Sequence, residues 1–206
     1  KDSFKKMFKF LQKGQTIIME STTYPGSTNE IFVKKLGIKF NIGTDYFLGY
    51  SPERISPEIK NKEIKSNFKF DLFNTPKICS GYSKNCSDII FRVYSSIVKR
   101  AIKAKSIETA EMCKLVENIY RAVNISMVNE LKMISEKLKL NIYDVLDLAD
   151  TKPFGFTKFK PGPGIGGHCI PIDPYYLYWA ASKKNYKPKF IKLAGDTNQK
   201  IIEWTT

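Results

Sequence analysis

Arginine and histidine are scarce: of 34 basic residues only four are Arg, at 54, 92, 100 and 121, and His168 is the single histidine. The net charge of +14 is therefore carried almost wholly by lysine. A nucleic-acid face typically uses Arg for bidentate contacts, so the lysine bias reads as solvated surface and argues against a nucleic-acid partner. The excess positive charge still favours an anionic ligand through long-range attraction. Cysteine is sparse as well, at 79, 86, 113 and 169, with no CxxC pair. That excludes the usual zinc constellations, so no metal is expected, and the dispersed thiols fit a reducing compartment. No apolar run approaches the ~20 residues of a membrane span. The opening Lys1-Asp2-Ser3-Phe4 has no apolar signal core. A cytoplasmic protein without membrane contact is expected. The chain also lacks an initiator Met, and the expectation is that it begins inside a longer protein.

What is present is enough for a core: 42% hydrophobic and 13% aromatic residues in 206. Phe4, Met7, Phe8 and Leu11 recur at helical spacing over residues 2–13, and Gly14 ends that helix. Residues 15–20, Gln-Thr-Ile-Ile-Met-Glu, form a short apolar run that reads as a buried parallel strand. The hydroxyl-rich turn 21–27 follows, then a helix over about 28–36. A strand, a polar turn and a helix start are where parallel sheets place a ligand, although Ser27 or Thr28 could equally cap the helix. Residues 45–50 read as the next strand and lead into a rigid turn holding Glu53. Residues 59–74 read as an exposed loop, 77–81 as a last short strand, and 83–98 as a helix with Ile89, Ile90, Val93, Tyr94 and Ile97 on one face. The first hundred residues thus read as β-α-β-β-α, part of a doubly wound sheet.

From about 106 to 140 the pattern is one long helix. Met112, Leu115, Val116, Ile119, Tyr120, Val123 and Met127 make its apolar side. Glu111, Lys114 and Asn118 form a polar stripe beside it, within an arc of about 60°. Further helices are expected over 142–149, 175–183 and 188–204. Between them lies the stretch 161–174, with four Gly and four Pro in fourteen residues. It is neither helix nor strand, because Gly opens backbone angles and Pro fixes φ. Cys169 and Asp173 follow its last glycines. The stretch reads either as a nucleophilic Cys on a ligand-cradling loop with an acid nearby, or as a Pro/Gly turn with a buried structural Cys.

Four segments together resemble the nucleotide-sugar 6-dehydrogenases, the family of UDP-glucose dehydrogenase. They are Glu20-Ser-Thr-Thr-Tyr-Pro-Gly-Ser27, Tyr50-Ser-Pro-Glu-Arg-Ile-Ser-Pro57, Ala110-Glu-Met-Cys-Lys-Leu-Val-Glu-Asn118 with Asn129-Glu130, and Gly164-Ile-Gly-Gly-His-Cys-Ile-Pro-Ile-Asp173. They stand in the family's order across nearly the whole chain. The resemblance implies an α/β fold: the C-terminal half of a Rossmann-type parallel sheet over 1–105, the remainder of an NAD-binding domain. An all-α central domain with the long helix, serving dimerisation and catalysis, follows over 106–206. The family's Gly-rich dinucleotide fingerprint and its last nucleotide-binding domain have no match here, so a fragment, inactive in isolation, is expected. UDP-glucose dehydrogenases usually carry a second Glu four residues after the one matched by Glu53, where this chain has Pro57. That departure favours the enzymes of UDP-N-acetylhexosamines, with UDP-N-acetylglucosamine first.

The resemblance further implies oxidation of the sugar C6 alcohol to a carboxylate with NAD as cofactor, for surface polysaccharide precursors. Cys169 matches the nucleophile that carries a thiohemiacetal and then a thioester. Lys114 matches the cation at the developing oxyanion, Asn118 its hydrogen-bonding neighbour, and Asp173 the carboxylate of proton transfer. Thr22 and Glu53 match the pair that holds the hydrolytic water. Ser21, Thr22 and Glu53 would face the cofactor; Arg54, Lys114, Asn118, Gly164, Gly166 and Gly167 would face the substrate. The family's central helices imply a homodimer or larger assembly. Three alternatives stand beside this reading. The substrate could be UDP-glucose or UDP-N-acetylmannosamine, the chain could be an inactive dimerisation module, or the charge could mark a basic nucleic-acid-binding domain.

Overall fold

The computed structural model describes residues 6, 9–34, 40–55, 71–166 and 172–206. The chain forms two compact units, Lys1–Lys114 and Leu115–Thr206. Half of the helix expected over 2–13 lies outside the described residues, and its described end, 9–13, is turn and irregular chain; 59–70 of the expected polar loop and 167–171 of the Gly/Pro stretch also lie outside.

The first unit is built on four strands, β1 (Thr16–Met19), β2 (Phe47–Tyr50), β3 (Lys77–Gly81) and β4 (Ala101–Lys103), in the spatial order β1-β2-β3-β4. β1 and β2 pair in parallel, as do β3 and β4. β2 and β3 pair antiparallel through Gly49–Gly81 and Tyr50–Ser80, so the sheet is mixed where the sequence pointed to parallel strands alone. β4 was not anticipated. It is three residues long, too short for an alternation to declare itself. One face of the sheet carries Ile17 and Leu48 against Phe32 and Tyr46. Elsewhere Tyr50 and Ile78 meet Ile107 and Ala110.

Helix α1 (Lys84–Ser95) starts at Ser83, whose Oγ accepts from the Cys86 backbone N–H at 3.2 Å. It packs closely on the sheet at Gly81, where a Cβ would stand 2.1 Å from the Ser87 nitrogen. Cys86, Ile90 and Tyr94 form its buried face. Val93 and Ile97, expected inside, are exposed, because the face that meets the sheet is set by the Cys86–Ile90–Tyr94 spacing of four. The helix expected after the hydroxyl-rich turn is a short one with a π-helical segment over Asn29–Val33.

Helix α2 (Ile107–Lys137) begins in the first unit and continues through the second. The second unit adds α3 (Ile142–Ala149), α4 (Asp173–Ser182) and α5 (Lys189–Thr205). Asn141 caps α3, its Oδ1 accepting from the Tyr143 backbone N–H at 3.0 Å. Pro174 sits in the first turn of α4, where its missing N–H costs nothing. Val128, Ile142 and Leu146 form a core with Phe156 and Phe159 against it. On α3, Ile142 and Leu146 are buried, while Val145 and Leu148 are exposed.

The sidedness of α2 departs from the expectation in part, with Ile119 and Val123 half-buried. Met112, Val116, Tyr120 and Met127, assigned to its apolar side, are exposed. Leu115 is buried as expected. The polar stripe goes inward instead, with Glu111 and Asn118 buried, followed along the helix by Ser126 and Asn129. Each of the four has a hydrogen-bond partner, which is the condition for burying such groups. No helix among the described residues is long and apolar enough to cross a membrane.

Candidate active site

The first unit gathers polar groups at the carboxyl ends of β1 and β2. β3 runs antiparallel to β2, so its first residue, Lys77, arrives at the same end. Lys77 is buried, and its ammonium ion-pairs with Glu20 Oε1 at 2.9 Å and Glu53 Oε2 at 3.0 Å. It also lies 5.3 Å from the centre of the Tyr94 ring. The Tyr94 hydroxyl donates to Glu20 Oε1 at 2.6 Å. Burial, and then this bond to a carboxylate, push the ionisation of Tyr94 well above the usual tyrosine range.

Glu53 accepts at Oε1 from the backbone N–H groups of Arg54, at 2.8 Å, and Ile55, at 2.7 Å. Partial burial opposes its charge, but the Ile55 N–H, the Lys77 ammonium and the Arg54 N–H outweigh it and hold its pKa below the usual carboxylate value. Arg54 is turned toward protein: its guanidinium donates to the Pro76 carbonyl at 3.3 Å and to Cys113 Sγ at 3.4 Å. Ser21 is exposed and Thr22 half-buried, and neither side chain has a hydrogen-bond partner among the described residues.

The rest of the hydroxyl-rich turn is committed elsewhere. Ser27 and Thr28 are fully buried, and both hydroxyls donate to Glu111 Oε1, at 3.1 and 2.6 Å. The Thr28 N–H donates to the same oxygen at 2.9 Å, and the Gly26 N–H to Oε2 at 2.5 Å. The Thr23 hydroxyl donates to Ser27 Oγ at 2.7 Å. Thus these hydroxyls neither cap the helix nor face a ligand; they bind the turn to α2.

In the second unit, two expected site residues 55 positions apart come together. Asn118 Nδ2 donates to Asp173 Oδ2 at 2.6 Å, and both residues are buried. The upstream end of the Gly/Pro stretch is held too: the Gly162 N–H donates to Asn129 Oδ1 at 2.9 Å. Gly166 adopts φ +67°, a left-handed angle that favours glycine. Nearby, Ile119, Val123, Pro174, Tyr175, Gly195 and Asn198 border a cavity of about 210 Å³. Lys114 is half-buried on α2, one turn before Asn118, with no ion-pair or hydrogen-bond partner among the described residues. Cys169 and Gly167 lie outside the described residues.

Sequence reasoning did not single out Lys77, Tyr94 or the anchoring role of Glu111. The signal for Lys77 was a lysine opening an otherwise apolar strand, where a buried charge demands a partner.

Residues 108–200 match the central domain of the UDP-glucose/GDP-mannose dehydrogenase family. A UDP-N-acetyl-D-glucosamine 6-dehydrogenase of Pseudomonas aeruginosa is 40% identical over 192 residues, covering 91% of this chain and 42% of that protein. A UDP-D-ManNAc dehydrogenase structure from Pyrococcus horikoshii superposes with a TM-score of 0.83 at 30% identity, covering 98% of this chain and 46% of the other. The UDP-N-acetyl-mannosamine dehydrogenase Cap5O of Staphylococcus aureus gives 0.78 at 35% identity, over 99% and 45%. Over residues 108–200 the chain carries the central domain of the UDP-glucose/GDP-mannose dehydrogenase family. It spans about two-fifths of the length of the curated relatives it matches.

Proposed function

We propose that the protein containing this chain oxidises the C6 alcohol of a UDP-N-acetylhexosamine, UDP-N-acetylglucosamine first, to the uronic acid. The observation that carries this reading is the buried Asn118–Asp173 hydrogen bond. It joins two residues that the family resemblance assigns to one reacting centre, 55 positions apart in the sequence. NAD fits the first unit: Ser21 and Thr22, at the carboxyl end of β1, keep their hydroxyls uncommitted among the described residues. The bound dinucleotide supplies the hydride acceptor, twice per sugar.

The chain's residues would then divide the work. Cys169 adds as thiolate to the C6 aldehyde, forming a C–S bond and a thiohemiacetal oxygen. Lys114 and Asn118 stabilise the negative charge on that oxygen. Loss of the C6 hydrogen as hydride leaves a thioester on Cys169. Thr22 and Glu53 orient a water that adds to the thioester carbon, and the C–S bond breaks to return the thiolate and the carboxylic acid. Asp173 receives and returns protons near Asn118. An ionised Glu53, with Oε1 accepting from two backbone N–H groups and Oε2 from the Lys77 ammonium, offers its remaining acceptor direction at Oε2 to the water.

The test is NADH formation by the whole protein with UDP-N-acetylglucosamine, its manno epimer and UDP-glucose. UDP-N-acetylglucosamine should be the preferred substrate, and Cys169→Ser should release no acid, since a hydroxyl lacks the nucleophilicity of a thiolate at neutral pH. Acid production by the variant at the wild-type rate would remove Cys169 from the mechanism. A second reading, self-association, is favoured by the exposed row Met112, Val116, Tyr120, Met127, Leu131 and Ile134 along α2. Charged substitutions at Tyr120 and Met127 should lower the mass seen in sedimentation; an unchanged mass would exclude this face.

A further inference from the structure

We propose that Lys77 is a positioning residue for Glu53, fixing it in one orientation and as an anion, so that its remaining acceptor direction can hold a reacting water. The proposal rests on the reading of Glu53 given above and goes beyond it, because Lys77 has no place in the motifs that identify the family.

The geometry carries it. The Lys77 backbone is fixed by its place opposite Ala101 in the sheet and by its N–H, which donates to the Arg100 carbonyl at 3.0 Å. The side chain is only 4% exposed, so the ammonium reaches a ligand only through the groups it touches. A charge so buried has to be paired. The groups facing it are Glu20 from the end of β1, Glu53 from the turn after β2, Tyr94 from α1 and Cys79 from its own strand. Arg54 stands beside Glu53 but directs its guanidinium to Pro76 and Cys113.

The Glu53 carboxylate has about four lone-pair directions. The Arg54 and Ile55 N–H groups take two at Oε1, and Lys77 takes one at Oε2. Among the described residues, one acceptor direction remains at Oε2, on a side chain 45% exposed. Lys77 therefore decides both where that direction points and whether the oxygen stays ionised. A lysine present only to hold the strands together would still lower the Glu53 pKa through this ion pair, but it would leave the acid limb of kcat in place.

The experiment compares wild type, Lys77→Met, Lys77→Arg and Glu20→Gln in the whole protein. It uses two readouts: the Glu53 titration by ¹³C NMR, and the pH profile of kcat with UDP-N-acetylglucosamine. In Lys77→Met the Glu53 titration should move to higher pH, and the acid limb of kcat should move with it. Turnover near the acid end should fall by roughly tenfold and recover as pH rises. Lys77→Arg should restore both. Glu20→Gln, which leaves the Lys77–Glu53 pair intact, should move neither limb upward, and it keeps the question open to test if Lys77→Met does not fold. An unmoved Glu53 titration in Lys77→Met overturns the proposal. A moved titration with an unmoved kcat limb overturns it as well, and places the fault in the role given to Glu53. Absence of turnover in wild type would sink the dehydrogenase reading, while the NMR arm still decides whether Lys77 sets the charge of Glu53.

Discussion

Glu111 offers the sharpest test of the first unit. Its carboxylate is fully buried and receives four hydrogen bonds, two from the backbone N–H groups of Gly26 and Thr28 and two from the hydroxyls of Ser27 and Thr28. In Glu111→Ala the hydroxyls can rotate toward other acceptors, but the backbone N–H groups cannot. Each buried donor left unmatched costs about 1–3 kcal/mol. Relief of carboxylate desolvation offsets part of that cost. A net loss of about 3 kcal/mol follows, or a shift of roughly 1.5 M in the urea midpoint at a slope of ~2 kcal/mol per M. Glu111→Gln keeps one oxygen, which can stay with the three donors now at Oε1. Its NH₂ then opposes the Gly26 N–H, so the loss should be smaller, about 1–2 kcal/mol.

Trp179 and Trp204 both lie in the second unit, so tryptophan fluorescence follows that unit, and amide exchange at Gly26 and Thr28 reports the turn directly. Both amides should lose protection in Glu111→Ala, and only Gly26 strongly in Glu111→Gln. An alanine variant within 0.5 kcal/mol of wild type, with both amides still protected, would refute the claim that Glu111 holds the turn.

Two further outcomes are expected. A Cβ at Gly195 would lie 2.1 Å from the Tyr175 hydroxyl, so Gly195→Ala should cost about 1–3 kcal/mol despite alanine's better helix propensity, and Tyr175→Phe should recover part of it in a double-mutant cycle of urea midpoints. Burial pushes the Cys79 thiol up to about 11 from 9.0. The unfolded chain then ionises first, so the contribution of Cys79 to stability should be constant below pH 9 and fall as pH rises from 9 toward 11; a slope between pH 9 and 10 that survives Cys79→Ala would assign it to another group.

The strands were legible because short apolar runs bounded by Gly, Pro and hydroxyl residues have few other readings; Thr16–Met19, Phe47–Tyr50 and Lys77–Gly81 all formed within the expected ranges. The sidedness of α2 was not legible. A periodicity argument treats Glu111, Asn118, Ser126 and Asn129 as solvent-facing, whereas each is buried against a partner far away in sequence. Glu111 meets Gly26, 85 residues off, and Ser126 donates to the Ala194 carbonyl, 68 off. Only the tertiary fold supplies such partners. The same holds for the candidate site. Asn118 and Asp173 could be named from the motifs they share with relatives, but the bond between them could not. Lys77 belonged to no motif, and its importance emerges only when β3 is seen to run against β2.

The bond from Gly162 to Asn129 and the bond from Asn118 to Asp173 have a mechanical consequence when taken together. Both partners sit on one helix, eleven residues or about 16 Å apart along its axis. The Gly/Pro stretch is therefore strapped at each end to the same rod. Four residues of chain link Cys169 to the nearer strap, which bounds its Cα to within about 14 Å of that of Asp173. Cutting one strap should be felt as a lower effective concentration of the thiol proposed above as nucleophile, while its intrinsic reactivity stays the same. Asn129, which touches no reacting atom, would then alter turnover through the freedom it allows the stretch that bears Cys169.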